Sequence, residues 1–180
     1  MKNSFAVDII LHLALREAVA ARHPSIMPPH LLMGMTKGRD FCTESAKQEA
    51  KKRGIDVPGL VAELSLVPEI LEEAGMDPKT LRHKLRSMIG PGTDPLPPGA
   101  IIHRGPPAKE AFAYGQEFSK SLGMTMLHAG GLFAGVLKHW DWPDTDWFKR
   151  ADFNGLTAKV QARLSGPAAD KEKPANKVPQ

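Results

Sequence analysis

A single cysteine stands in 180 residues, and several exclusions follow from that scarcity. Cys42 has no intramolecular disulfide partner, and four-cysteine zinc sites and cysteine-ligated iron–sulfur clusters are ruled out with it. No apolar run approaches the ~20 residues that a bilayer-spanning helix needs. Sustained polar–apolar alternation rich in Val, Ile and Thr is also missing, so no strands are predicted. Neither sign of charge dominates: 24 Lys and Arg face 20 Asp and Glu, a net +4, and the two signs are interspersed, which demands no nucleic-acid partner. There is no Gly-x-x-x-x-Gly-Lys-Ser/Thr phosphate loop, no Gly-x-Ser-x-Gly elbow and no His-Glu-x-x-His pair. The expectation is a protein without enzymatic activity, cofactor or metal, long enough to bury a core unaided.

Proline is plentiful instead. Its 16 occurrences are roughly twice the usual ~5%, and they punctuate the chain. A first helix is expected from about Phe5 to Arg22, ending at Pro24. Lys2 precedes its apolar stretch and Ala18–Ala21 resembles a signal-peptidase site, but Asp8, His12, Arg16 and Glu17 break the run. Val7, Ile10, Leu11, Ala14, Leu15, Ala18 and Val19 recur as on a core helix. The chain therefore reads as soluble, reduced and cytoplasmic. A second helix begins near Pro28-Pro29 and carries His30 to Met35, since proline is tolerated in a helix's first turn. Glu44–Arg53 reads as an exposed Lys-rich helix, Pro68–Gly75 as a short one opening on proline, and Asp77-Pro78 as the cap of a helix ending at Gly90. The connector 91–106 is extended, and six prolines fall between Pro91 and Pro107. Further helices are expected near 107–122, 128–138, 144–151 and 154–164. The tail 165–180, charged and proline-bearing, is expected to be disordered.

The chemistry-bearing residues favour structural roles. His23 and His30 are seven apart across a helix break, and His128 and His139 flank a short helix, none at metal-ligand spacing. Cys42 lies beside Phe41 with no catalytic signature around it. Lys79, Arg82, Lys84 and Arg86 form a basic cluster on one helix. This makes a nucleic-acid-associated regulator using the Lys79–Arg86 helix the alternative function, with acidic Glu69, Glu72, Glu73 and Asp77 counting against it. Trp140, Trp142 and Trp147 read as a plug closing the second half, with a ligand or partner platform as the alternative. Met27, Met33, Met35, Met124 and Met126 surround the two short helices, as core or as an adaptable peptide surface.

The two halves share a plan. Sliding by about 100 residues sets Glu17 over Glu117, Ile26 over Met126, Leu32 over Leu132 and Met33 over Phe133. Glu17-Ala18, His23, Ile26 and His30-Leu31-Leu32-Met33-Gly34-Met35 resemble the Clp amino-terminal repeat. Its pattern is a Glu-Ala pair, a His, an Ile or Val, then His-Leu-Leu-x-Gly-Leu. Glu117, Gly123, Met126, Leu132, Phe133 and Ala134 occupy the corresponding places in degenerate form. The resemblance implies an all-α fold of two tandem four-helix repeats about a pseudo-twofold axis: one domain over 1–164, with repeats at about 5–90 and 107–164. It implies a free-standing docking module for clients or adaptors of a Clp chaperone–protease, or for the chaperone itself, with any ATP-driven unfolding left to a partner. The expected docking residues are Met27, Pro29, His30, Met124, Met126 and His128, in two equivalent loops, one in each repeat, that would line a groove between the repeats. Many Clp repeats carry a glutamate before the motif histidine, in some serving phosphoarginine. Pro29 and Ala129 stand there in this chain, and neither pairs with a guanidinium. The segment Phe41–Leu66 is longer than the usual connection and is either an insertion or an extended helix pair.

Overall fold

The computed structural model describes residues 1–97, 99–141 and 152–166. Among these the chain is all-α. Eight helices carry the fold: α1 (Phe5–Ala20), α2 (Pro28–Phe41), α3 (Glu44–Lys52), α4 (Val57–Glu73), α5 (Pro78–Ile89), α6 (Pro106–Ser121), α7 (Ala129–His139) and α8 (Phe153–Leu164). Local chemistry sets most of their starts. Ser4, Thr43, Asp56, Asp77 and Asp152 each accept, through the side chain, the amide three residues on, satisfying one of the orphan donors of a first turn. No described helix is long and apolar enough to cross a membrane.

Two expectations about helix boundaries need correction. The segment 57–73 is one helix with Pro68 inside it, not a short helix opening on that proline. Asp56 and Pro58 supply a stronger start, and burial of Leu64, Val67, Ile70 and Leu71 outweighs the one amide that Pro68 removes. With α3, this makes 41–66 a helix pair and gives the first half five helices, not four. The expected helix near 144–151, with Trp142 and Trp147, lies outside the described residues, as does the tail from 167. Trp140 is half-buried against the core.

Four two-residue strands were not expected: β1 (Lys2–Asn3), β2 (Ser25–Ile26), β3 (His103–Arg104) and β4 (Met126–Leu127). They pair in parallel as β1 with β4 and β2 with β3. Each half's leading strand thus joins a loop of the other half. The N–H of Ser4 donates to the Leu127 carbonyl at 2.9 Å, and the N–H of Gly105 to the Ile26 carbonyl at 2.9 Å. These are the same bond in the two halves.

The duplication has an offset of 101, not 100. Lys2 corresponds to His103, Phe5 to Pro106, Ser25 to Met126 and Pro28 to Ala129. Both helix breaks obey it: Arg22 has φ 58° and Gly123 φ 76°, and the amides that follow return to the carbonyls of Ala18 and Ser119. The one-residue slip arose from matching Ile26 with Met126. The buried partner of Ile26 is Leu127, while half-buried Met126 matches Ser25. Glu17 therefore faces Phe118 in the alignment, and His30 faces Gly131.

The inner pair of helices is α2 and α7. Helix α1 packs on α2 and α6 on α7; α2 also meets α4, α5 and α7, and α7 meets α4 and α8. Every residue from Ala129 to Leu137 is buried. Leu31, Leu32, Phe133 and Leu132 are fully enclosed, each worth about 1.5–3 kcal/mol of apolar burial. Close approach needs glycine. A Cβ on Gly34 would lie 2.6 Å from the Ile10 carbonyl oxygen, and one on Gly135 closer still to that of Ala111, the equivalent atom 101 positions on.

Candidate functional site

The six residues expected to dock a partner fall at two equivalent loops. Met27, Met124, Met126 and His128 are half-buried, whereas Pro29 and His30 are buried. The strands of the two loops do not pair with each other. Loop strand β2 pairs with β3, and β4 with β1. Pro29 and His30 thus present no docking surface.

His30 serves the helix instead. Its Nδ1 accepts the Met27 N–H at 2.9 Å, capping α2, which leaves Nε2 as the protonated nitrogen facing Nδ1 of His23 at 2.8 Å. Burial, with His23 alongside, holds the pKa down at about 4, although the Glu17 carboxylate pulls it up. The folded state therefore keeps His30 neutral while the unfolded chain takes a proton as pH falls below about 6.5. Its stability contribution is complete above pH 6.5 and is lost as pH falls toward 4. A loss of about 3 kcal/mol is expected over that window, the shift between the two values converted at ~1.4 kcal/mol per unit. Denaturant titrations at intervals of pH will show it, and His30→Gln will flatten the profile. A profile unchanged by that substitution excludes His30 as the origin.

The second half lacks that histidine, and the start of α7 is capped from α4 at a different amide. Ala129 opens α7 where Pro28 opens α2, so an amide exists that its counterpart lacks. Oε1 of Glu63 accepts this amide at 2.8 Å and the Ser4 hydroxyl at 2.5 Å. Its Oε2 lies 3.4 Å from Nδ1 of His128. His139 sits apart, 3.6 Å from Glu110. Among the described residues no group of His, Cys, Asp and Glu could hold a metal ion. With the corrected offset, the residue before the motif position in the second half is Gly130, not Ala129, and glycine pairs with a guanidinium no better.

The basic helix α5 turns much of its charge inward. Arg82 is 9% exposed; it donates to the Thr36 carbonyl at 2.5 Å and to Asp40 at 3.2 Å. Arg86 holds Glu17 through two bonds of 2.9 Å. Two of the four cations proposed for nucleic acid thus tie α5 to α1 and α2. Glu17 is the hub, since Lys37 reaches the same carboxylate.

Sequence reasoning missed an open apolar groove of about 310 Å³ between α1, the end of α2, α3 and α4. Ile9, Leu60, Val61 and Leu64 line it, with Phe5 and Phe41 beside them. Those two phenylalanines are 37% and 38% exposed. Cys42 also lines it, its pKa raised by burial against an opposing pull from Lys47, which keeps the thiol protonated and unreactive. The one available signal was the long Phe41–Leu66 connection, whose helix pair builds two of the walls.

No family model and no curated protein match this chain. Solved structures do. It is similar to the Hsp104 N-terminal domain from Candida albicans, with TM-score 0.63 and 11% identity over 92% of this chain and 94% of that one. It is similar to the N-terminal domain of the caseinolytic-protease-associated chaperone ClpD from Arabidopsis thaliana, with TM-score 0.51 and 17% identity over 92% and 96%. A structure from a malarial protein secretion system aligns with TM-score 0.50 and 15% identity over 91% and 92%. The chain thus has the fold of Clp and Hsp104 N-terminal domains.

Proposed function

We infer that this chain is a docking module that holds a segment of a protein partner: a client or adaptor of a Clp chaperone–protease, or the chaperone itself, in the cytoplasm. The observation that carries this reading is the groove, an apolar concavity with exposed phenylalanines on a fold shared with the N-terminal domains of two chaperones. The surface has moved from the loops at Met27–His30 and Met124–His128, where two of the six residues are enclosed. The groove's thiol is held protonated by burial and gives no support to a nucleophile there. The test is a crosslinking pull-down from the protein's own cell extract using the full chain and its Phe5→Ser/Phe41→Ser variant. Recovery of a Clp ATPase, an adaptor or an unfolded client by the wild type, reduced about tenfold by the variant, is expected for apolar anchors worth ~1.4 kcal/mol or more together. Recovery of none of these overturns the reading.

A further inference from the structure

We propose that the connector between the halves is a second recognition loop, which seats Pro95, Pro97 and Ile101 in an aromatic-lined groove of a partner protein. None of these residues lines the groove between α1, α3 and α4, so this surface is separate from that one.

Joining the halves does not require so long a connector. It leaves the first half where the Gly92 N–H donates to the Ala21 carbonyl at 2.7 Å, and it returns where His103 pairs with Ser25. Its two anchors are thus only Ala21 and Ser25, and the chain between them turns back at Arg22, with φ 58°. Even with that stretch fully extended, and one strand spacing at each end, Gly92 and His103 lie within about 24 Å of each other. The chain from Gly92 to His103 could reach about 36–40 Å. The surplus stands out as a closed surface loop, a form that is frequently functional.

The loop is turned at its tip and apolar on its surface. The Ala100 N–H donates to the Pro97 carbonyl at 3.0 Å, with Gly99 at φ 75°, a tight turn that glycine adopts without strain. The connector is therefore not extended throughout. Pro95, Pro97, Ala100 and Ile101 are exposed. Ile101 is 77% exposed, against 48% for Val19, the next among the described large hydrophobic side chains. A plain spacer would be polar. Anchored ends, the turn and the proline rings fix the shape in advance, so docking loses less entropy.

Chemistry selects the partner's surface. Pro95 and Pro97 have no N–H, so a strand cannot add along them. Asp94 is the only charged residue from Thr93 to Ile102, and an anion repels the phosphates of a nucleic acid. What the loop offers is proline rings and a branched aliphatic side chain, apolar faces that pack on Trp and Tyr. Aromatic-lined grooves hold proline-rich segments in this way.

The full chain carrying a photo-crosslinking residue at position 100 tests this in the protein's own cell extract, with the crosslinked peptides identified by mass spectrometry. Crosslinks are expected on a partner protein, at a surface lined by Trp or Tyr side chains. Two variants, Ile101→Ser and Pro95→Ala/Pro97→Ala, change exposed positions and should melt as wild type does. Each is expected to cut the crosslinked yield about tenfold, the loss of one well-seated apolar anchor. No crosslinked protein, a crosslinked surface without aromatic side chains, or yields that both variants leave unchanged overturn the proposal. Crosslinks to a second copy of this chain overturn it too, because the occupant is then the chain itself. So does pelleting with lipid vesicles that Ile101→Ser abolishes, because the loop then enters a membrane.

Discussion

Gly135→Ala is expected to remove at least about 3 kcal/mol of stability, a large share of the ~5–15 kcal/mol typical of a domain. The sign is informative, because alanine inside a helix ordinarily gains ~1 kcal/mol over glycine. At Gly135 the new Cβ meets the Ala111 carbonyl oxygen, with the Ala111 carbonyl carbon 2.8 Å away. Both atoms belong to the backbone of α6 and have no rotamer through which to yield. Relief requires α6 and α7 to separate, which would pull open a face where Ala108, Ala111 and Phe112 are buried. Gly34→Ala meets the same atom type at 2.6 Å in α1 and is expected to cost less, about 2 kcal/mol. Urea unfolding of the two variants measures both. A Gly135→Ala protein within 1 kcal/mol of wild type would show that the helices do not approach as described.

Glu17→Gln is expected to cost about 2–3 kcal/mol at neutral pH, toward the lower end for loss of one member of a buried pair. The Glu17 side chain is 7% exposed, but Arg86 is 49% and Lys37 31% exposed, so both cations regain water when the anion goes. Burial by itself would raise the Glu17 pKa. The hydrogen bonds and charges of Arg86 and Lys37 outweigh it and hold the carboxyl at about 2. The ionised folded form is thus favoured over the unfolded one, whose carboxyl titrates near 4.5. That stabilisation is present above pH 4.5 and is lost as pH falls toward 2. The two curves, wild type and Glu17→Gln, should converge across this window, below the one assigned to His30. A constant gap down to pH 2 would mean that shape, not charge, sets the penalty. Because Glu17 raises the His30 pKa, the variant should also shift the histidine's transition to lower pH.

The helical class and the first-half motif were legible because they rest on local rules. Ser4, Asp77 and Pro28 announce helix starts within four residues of themselves, and His30-Leu31-Leu32 fits a pattern with a physical reason, a capping histidine followed by core leucines. The offset was misread because the match of Ile26 with Met126 was joined by that of Glu17 with Glu117, whose environments have nothing in common. Glu117 is 72% exposed and pairs with Lys120 one turn on. The extent of α4 was misread because Pro68 looks like a beginning, and only tertiary burial tells otherwise. The groove was hidden for another reason. Phe5, Phe41 and Val61 are far apart in the chain, and each reads alone as an ordinary core residue; their shared exposure arises only when three helices meet.

The crossed strand pairs bear on the order in which this chain is made. The Ser4 amide takes its acceptor from Leu127, so it cannot complete that bond until more than a hundred further residues have left the ribosome. During synthesis the leading half carries an unpaired strand and an uncovered flank of α2. Closing so long a loop is a late, entropically costly event. Translation, rather than either half's own stability, decides when the molecule locks shut.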